Sequence, residues 1–137
     1  LDERWRLVHM NQASGMGERP HAAVVLSEAG TEHSAEAQGD GPVDAAFKAI
    51  EAATGVPVTL RKFEVRSVTM GEDAQGEAVV TVEFNGRSYR GSSVTTDIVE
   101  SGVRAFLEVV NQIESMRATV ARAEQRSPEA EVAASVI

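Results

Sequence analysis

Two short stretches of the sequence place glycines, hydroxyls and carboxylates where helices are predicted to begin. The first stretch contains Gly39, Asp40, Gly41 and Asp44, and the second contains Ser93, Thr95, Thr96 and Asp97. Free N–H groups at a helix start suit a carboxylate, and the nearby Asp side chains suit an ammonium group. An α-amino acid could therefore be held at both of its charged ends. Ordinary helix capping is the alternative use of the same residues, and it is the commoner one.

No other grouping of residues forms a recognised catalytic or metal-binding pattern. The HExxH, GxSxG, GxGxxG and P-loop motifs are all absent from the sequence, so we predict no catalytic residue in this chain. His9, His21 and His33 are twelve residues apart, whereas metal-binding histidines usually come in close pairs. The acidic dipeptide Glu72-Asp73 is more simply a solvated turn than a cation site. We therefore expect no metal and no cofactor in this domain.

The composition argues against several classes of function. The chain has 137 residues, with 13 Lys and Arg against 21 Asp and Glu and a net charge of −8, which does not favour contacts with phosphate backbones or anionic lipids. It has no cysteine, and its longest apolar run extends only from Ala22 to Leu26, far short of the ~20 residues of a membrane span. We expect a cytoplasmic protein that binds neither nucleic acid nor membranes. Because the chain starts at Leu1, we also expect it to be part of a longer protein.

The first half of the sequence predicts three strands followed by a helix. Strands are indicated at 4–12, 22–27 and 32–37. Gly30 lies in the turn before the last of these strands, where positive φ is needed. Pro42 suits the first position of a helix, and Asp44 adds negative charge to its first turn. Apolar residues then recur at helical spacing until Gly55 and Pro57 end the helix.

The second half repeats this order. Strands are indicated at 60–70, 77–84 and 87–94. Residues 71–76 are predicted to form the first turn, and Asn85-Gly86 the second, because a type I′ turn needs two residues that tolerate positive φ. Asp97 is the predicted N-cap of the second helix, with Glu100 in the capping-box position.

Together the two halves predict an α+β fold. We expect two βββα repeats, related by a pseudo-two-fold axis, in which the sheets pack with two helices. Residues 1–122 are assigned to this domain, and 123–137 are expected to form a mobile C-terminal tail. Exposed strand edges in such a fold favour association with a second copy.

The strand at 60–70 offers an apolar wall beside the first helix. Its alternation places Phe63, Val65 and Ser67 on one face. Leu60, Phe63 and Val65 could wall a pocket for an apolar side chain, although ordinary core packing is the commoner role of such residues.

Three segments, 39–55, 67–82 and 95–113, resemble in order and spacing the C-terminal regulatory domain of the 2-isopropylmalate synthase family. The resemblance implies a domain that dimerises, follows a catalytic TIM barrel, and binds L-leucine to inhibit leucine biosynthesis. The barrel lies outside this sequence and would condense acetyl-CoA with 2-oxoisovalerate on a divalent metal. No catalytic activity is then expected of this chain alone.

The same resemblance implies which residues bind leucine. They are Gly39, Asp40, Gly41, Pro42, Val43, Asp44, Leu60, Phe63, Ser67, Thr96, Asp97 and Ile98. Two features depart from the family pattern: Ser92-Ser93 replaces an expected Gly-rich stretch, and Gly102 lies inside the second helix. The matching isoleucine-responsive domain of a citramalate synthase is an open alternative, as is a dimerisation domain that has lost its effector. An independent small enzyme is the least favoured reading, because no nucleophile and base stand at a recognisable spacing.

Overall fold

The computed structural model describes the backbone of residues 3–70 and 73–136, and the side chains of residues 3–68 and 74–125. The first unit consists of β1 (Trp5–Ala13), β2 (His21–Glu28), β3 (Thr31–Gln38) and α1 (Pro42–Thr54). The second consists of β4 (Thr59–Met70), β5 (Asp73–Phe84), β6 (Arg87–Thr95) and α2 (Ile98–Val136). The predicted α+β fold with two βββα repeats is confirmed.

Each unit has an antiparallel sheet in which the strands follow chain order, β1-β2-β3 and β4-β5-β6. The last two strands of each sheet are joined by a two-residue turn. Ala29 and Gly30 form the first turn, with φ of 50° and 82°, and Asn85 and Gly86 form the second, with φ of 51° and 74°. Positive φ at both positions defines the type I′ turn predicted for Asn85-Gly86. Ala29 adopts the left-handed conformation without being glycine, and the sequence did not indicate this.

The two units also share a β-bulge at the same place. In β1, Leu7 pairs with Leu26 and His9 with Val25, so Val8 is the extra residue. In β4, the register shifts in the same way at Arg61, between Leu60 and Lys62. A bulge resets the alternation of side chains, and it therefore places Leu60 on the same face as Phe63 although the two are three residues apart. The equivalent bulges support the predicted internal repeat.

The hairpin between β4 and β5 is longer than the sequence indicated. A turn was predicted over 71–76, but β5 begins at Asp73, and Gly76 pairs with Ser67 inside the ladder. Gly71 and Glu72 lie outside the described residues. Gly76 serves close packing instead of turning the chain, because a Cβ atom there would overlap the side chain of Ile98.

The helices bring the two units together. α1 covers β2 and β3, whereas α2 covers β5 and β6 and also touches β1. The ring of Phe47 on α1 stacks on Phe106 of α2 with centroids 4.5 Å apart, and it meets Phe63 of β4 edge-on at 5.8 Å. Gly91 on β6 allows α2 to approach, since a Cβ atom there would lie 2.5 Å from the carbonyl oxygen of Ala105. The remaining core is built mainly from Ala, Val and other small or branched residues.

Both ends of α1 lie where the sequence predicted them. Pro42 occupies the first turn, and Gly55 ends the helix in the left-handed conformation with φ of 70°. Its N–H donates to the Glu51 carbonyl oxygen at 2.8 Å. The second helix differs from expectation: α2 continues as helix through the predicted boundary at residues 122–123 and reaches Val136. The predicted mobility of 123–137 stays a prediction.

Candidate ligand-binding site

The first helix begins without a capping side chain. Gly41 is the N-cap residue, with extended backbone angles of −152° and 173°, and no side chain caps this helix. Pro42 at the next position has no N–H. The N–H groups of Val43 and Asp44 therefore open the helix, and a free helix start of this kind presents positive partial charge to an anion.

The carboxylate of Asp44 is turned back towards the loop before α1. Its Oδ2 atom accepts a hydrogen bond from the backbone N–H of Asp40 at 2.9 Å. The same oxygen lies 3.0 Å from Nζ of Lys48, one turn further along the helix. The hydrogen bond from Asp40, and then the contact with Lys48, lower the pKa of Asp44 below its ordinary value. Asp44 is therefore ionised at neutral pH, as a carboxylate stabilised by donors should be.

The second helix begins differently, because its own side chains close it. Oδ1 of Asp97 accepts from the N–H groups of Val99 at 2.8 Å and Glu100 at 3.3 Å. This confirms Asp97 as the N-cap residue. The second half of the predicted capping box does not form: Glu100 pairs with Arg104 at 3.4 Å, and Oγ1 of Thr95 accepts from the Asp97 N–H at 3.1 Å.

A buried hydroxyl ties this second helix start to the sheet. Oγ of Ser101 donates to the Gly76 carbonyl oxygen and accepts from the Thr95 N–H, both at 3.0 Å. Ser101 is fully buried, so each of these bonds matters to stability. The start of α2 is thus held in place by side-chain hydrogen bonds, whereas no side chain caps the first-turn N–H groups of α1.

The inner face of β4 carries the residues that were predicted to form an apolar wall. Leu60 and Val65 are 44% and 48% exposed although they lie on the face that is directed towards the helices. They remain exposed because α2 packs mainly over β5 and β6. Phe63, between them, packs against Phe47, and its ring would lie 3.4 Å from a Cβ atom at Gly102. The apolar face of β4 is therefore only partly covered within one chain.

The structure brings only some of the residues named from the sequence into contact. Ser67 pairs with Gly76, and Ile98 packs over that glycine, so Ser67 and Ile98 lie at one end of the β4 wall. Val43 is one turn before Phe47 and faces the same side of α1. Thr96 is exposed, and the exposed carboxylate of Asp40 pairs with Arg19 at 3.2 Å.

A separate cleft of about 340 Å³ lies at the start of α2. Its lining residues are Met10, Asn11, Gln12, Asp97, Val99 and Glu100. Of the residues predicted to bind a ligand, Asp97 alone contributes to this cleft. By the register of the bulges, Met10 on β1 is the counterpart of Phe63 on β4. This cleft between β1 and the start of α2 therefore corresponds, in the internal repeat, to the space between β4 and the start of α1.

Sequence reasoning missed Lys48 and Phe47 at the candidate site. The i, i+4 spacing of Asp44 and Lys48 was a visible signal of an ion pair. The contact of Phe47 with Phe63 could not be predicted, because the sequence shows only that Phe47 lies on the apolar face of its helix. Gly102, which departs from the family pattern inside the second helix, has the ring of Phe63 packed against it.

The described residues contain neither a cluster of metal ligands nor a membrane-spanning helix. Among the side chains of residues 3–68 and 74–125, no three His, Asp or Glu come together as ligands for a metal ion. No helix in the described part of the chain is both long and apolar enough to span a bilayer.

The chain is a duplicated βββα unit in which one helix start is closed by its own side chain and the other is not. The LeuA allosteric (dimerisation) domain family matches residues 1–114, and the chain belongs to this family. It therefore corresponds to the regulatory and dimerisation part of 2-isopropylmalate synthase and not to the catalytic part.

Curated relatives agree with this assignment. The chain is 40% identical over 115 residues to 2-isopropylmalate synthase from Nitrosospira multiformis, 44% over 110 residues to that from Rhodopirellula baltica, and 42% over 113 residues to that from Dechloromonas aromatica. These alignments cover 84%, 80% and 82% of this chain. They cover only 22%, 21% and 22% of the relatives, so the chain spans about a fifth of their length.

Proposed function

We propose that this domain binds L-leucine and thereby mediates feedback inhibition of a 2-isopropylmalate synthase. The observation that carries the proposal is the difference between the two helix starts. At α2 the Asp97 carboxylate already occupies the first-turn N–H groups, whereas at α1 no side chain does so. The carboxylate of an amino acid would take at α1 the place that Asp97 takes at α2.

The rest of the ligand fits the surroundings of that helix start. The exposed carboxylate of Asp40, paired only with the exposed Arg19, is available to an ammonium group. β4 meets α1 through Phe63, whose ring packs edge-on against Phe47 one turn after Val43. The half-covered apolar surface around Phe63 would receive a branched aliphatic side chain, with Leu60 and Ser67 further along the strand in the two directions. Such a side chain would gain roughly 1.5–3 kcal/mol on full burial.

We further propose that the second copy of the chain covers the inner face of β4. Leu60, Val65 and Ile98 are among the few large apolar side chains exposed by more than a third in the described residues. All three lie on the side of the second sheet that faces the helices, with Ile98 over Gly76 towards one end of β4 and Leu60 near the other. A partner placed there would bury them and close the candidate site, with Thr96 and Asp97 at its margin.

The activity of the whole enzyme follows from its relatives and is part of the proposal. It would condense acetyl-CoA with 2-oxoisovalerate in a catalytic barrel, and the divalent metal would be held by that barrel and not by this domain. We place the enzyme in the cytoplasm, where amino acids are made. Leucine can inhibit only if it binds the inactive state of the enzyme more tightly than the active one, so the barrel must contact this module differently in the two states.

Calorimetric titration of the chain with L-leucine, L-isoleucine and L-valine tests the proposal. We expect saturable heat with leucine bound most tightly, and a dimer in sedimentation equilibrium. Preference for isoleucine would assign the domain to the citramalate branch instead. A folded dimer that binds none of the three would leave dimerisation as its only role.

A further inference from the structure

We infer that Asp44 is a positioning residue of the leucine site, which holds the loop before α1 in shape and does not itself contact the ligand. This inference rests on the proposed function. It differs from the expectation that both Asp side chains near this helix start serve the ammonium group.

The geometry of the loop supports the inference. Because Gly41 has no side chain, the usual cap is missing, and Asp44 at the third helical position reaches back to the N–H of Asp40. Gly39 fits closely around this bond: a Cβ atom there would lie 2.5 Å from both Oδ2 of Asp44 and the backbone nitrogen of Ala45. The Gly39 N–H in turn donates to the Pro20 carbonyl oxygen at 3.0 Å. The loop thus packs against one side of the Asp44 carboxylate, while the side chain stays 41% exposed on the other.

The charges around Asp44 lead to the same conclusion. Its Oδ2 atom already receives the Asp40 N–H at 2.9 Å and the Lys48 ammonium at 3.0 Å. A ligand's ammonium group would have to compete with Lys48, which is attached to the same helix. The Asp40 carboxylate, among the described side chains, pairs with the exposed Arg19 alone. Asp40 therefore remains for the ammonium group, and Asp44 fixes the backbone from which Asp40 projects.

A pair of ligands separates the two roles. L-leucine has an ammonium group, whereas 4-methylpentanoate has the same side chain and carboxylate without it. A residue that contacts the ammonium group affects leucine alone. A residue that shapes the helix start affects both ligands by the same factor, because both use the same N–H groups.

The experiment is calorimetric titration of the 137-residue chain and its variants with both ligands. For Asp44→Ala we expect both affinities to fall about tenfold, the order of effect of one lost charged hydrogen bond. For Asp44→Asn we expect both to stay within about threefold of wild type, since an amide oxygen can still accept the Asp40 N–H. Asp40→Asn should weaken leucine only.

Glu100→Ala is the matched control. Glu100 occupies the same place in α2 as Asp44 in α1 and pairs with Arg104 in the same i, i+4 manner, but among the described residues its carboxylate accepts no hydrogen bond from the backbone before the helix. We expect it to leave both affinities within about twofold of wild type, because an exposed ion pair contributes little.

Amide hydrogen exchange of Asp40 adds a measurement that needs no ligand. Its N–H should be protected in the wild type and in Asp44→Asn, and should exchange freely in folded Asp44→Ala. The inference is overturned if Asp44→Asn loses as much leucine affinity as Asp44→Ala while 4-methylpentanoate binding is unchanged. If the wild type binds neither ligand, the proposed function fails and this inference fails with it.

Discussion

The side-chain amide of Asn111 on α2 is hydrogen-bonded to both the backbone N–H and the backbone carbonyl group of Trp5 on β1. Oδ1 of Asn111 accepts from the Trp5 N–H at 2.8 Å, and Nδ2 donates to the Trp5 carbonyl oxygen at 3.0 Å. Both residues are buried, and 106 positions separate them in the chain. One amide group therefore fastens the first strand of the first unit to the helix of the second.

Replacing Asn111 with Ala should release this strand. It leaves a buried N–H and a buried carbonyl group without partners, and we expect the free energy of unfolding to fall by about 2–3 kcal/mol. Urea denaturation followed by Trp5 fluorescence measures this, since the chain has a single tryptophan. The neighbouring Gln112→Ala is the control: it removes one bond to the carbonyl oxygen of Arg90 in an exposed setting, with an expected loss below about 1 kcal/mol. Equal losses would contradict the role assigned to Asn111.

Gly39→Ala should distort the loop before α1. Its Cβ atom would lie 2.5 Å from two atoms of the helix start, and overpacking of this kind costs about 1–3 kcal/mol. Gly41→Ala introduces the same methyl group two residues later, where no atom lies within 4 Å, and should cost less than about 1 kcal/mol. Thermal unfolding of the two variants measures both losses of stability. A larger loss for Gly41→Ala than for Gly39→Ala would refute this description of the loop.

Val65→Asp should weaken the dimer if the second copy covers β4. A charge placed in an apolar interface loses its water, and we expect the dimer dissociation constant to rise about tenfold or more. Val94→Asp is the control, because Val94 is 42% exposed, much like Val65, but pairs with Glu77 on the face of the sheet that is directed away from the helices. Sedimentation equilibrium at several concentrations distinguishes them. An unchanged dimer dissociation constant for Val65→Asp would mean that the two copies associate through a different surface.

Glu51→Gln should stabilise the chain at neutral pH. Burial raises the pKa of Glu51 above its ordinary value, with a smaller opposing effect from Lys48. A carboxyl group with a raised pKa in the folded state favours folding at low pH, and that contribution is lost as the pH rises through the folded pKa. The free energy of unfolding of the variant should therefore exceed that of wild type by about 0.3 kcal/mol at pH 7. The two free energies should be equal at a pH where the wild-type carboxyl group is protonated. Denaturation at pH 7 and pH 4 checks both points, and a larger gain at pH 4 would reverse the sign.

Asp44 has the opposite pH dependence, which affects the design of that experiment. Its pKa is lowered by the hydrogen bond from Asp40 and by Lys48, so it stabilises the fold above its ordinary pKa and this contribution is lost as the pH falls. The effect of Glu51→Gln on stability should therefore also be measured in chains that carry Asp44→Asn, in which residue 44 no longer titrates.

Residues that act through their immediate neighbours could be assigned from the sequence. The type I′ turn at Asn85-Gly86, the start of α1 at Pro42 and its end at Gly55 all depend on backbone angles that a residue type prefers by itself. The resemblance to the regulatory domain family rested on short segments of this kind, and the match over residues 1–114 confirms it.

The tertiary structure decided what depends on distant parts of the chain. Gly76 resembles a turn residue in sequence, but it is needed because Ile98 packs over it. Leu60 joins Phe63 on one face only because of the bulge at Arg61, and the sequence carries no sign of that extra residue.

The two helix starts show the division most clearly. In sequence both combine acidic residues with small or hydroxyl residues, and either could cap a helix or bind an amino acid. Sequence alone determined that two helices begin at these places, because capping and helical periodicity are local properties. The sequence also predicted that Asp97 caps α2, and the structure confirms it. Only the folded chain decided that the carboxylate of Asp44 turns back to the Asp40 N–H and to Lys48, because a carboxylate binds the donors that the surrounding backbone brings within about 3 Å of it.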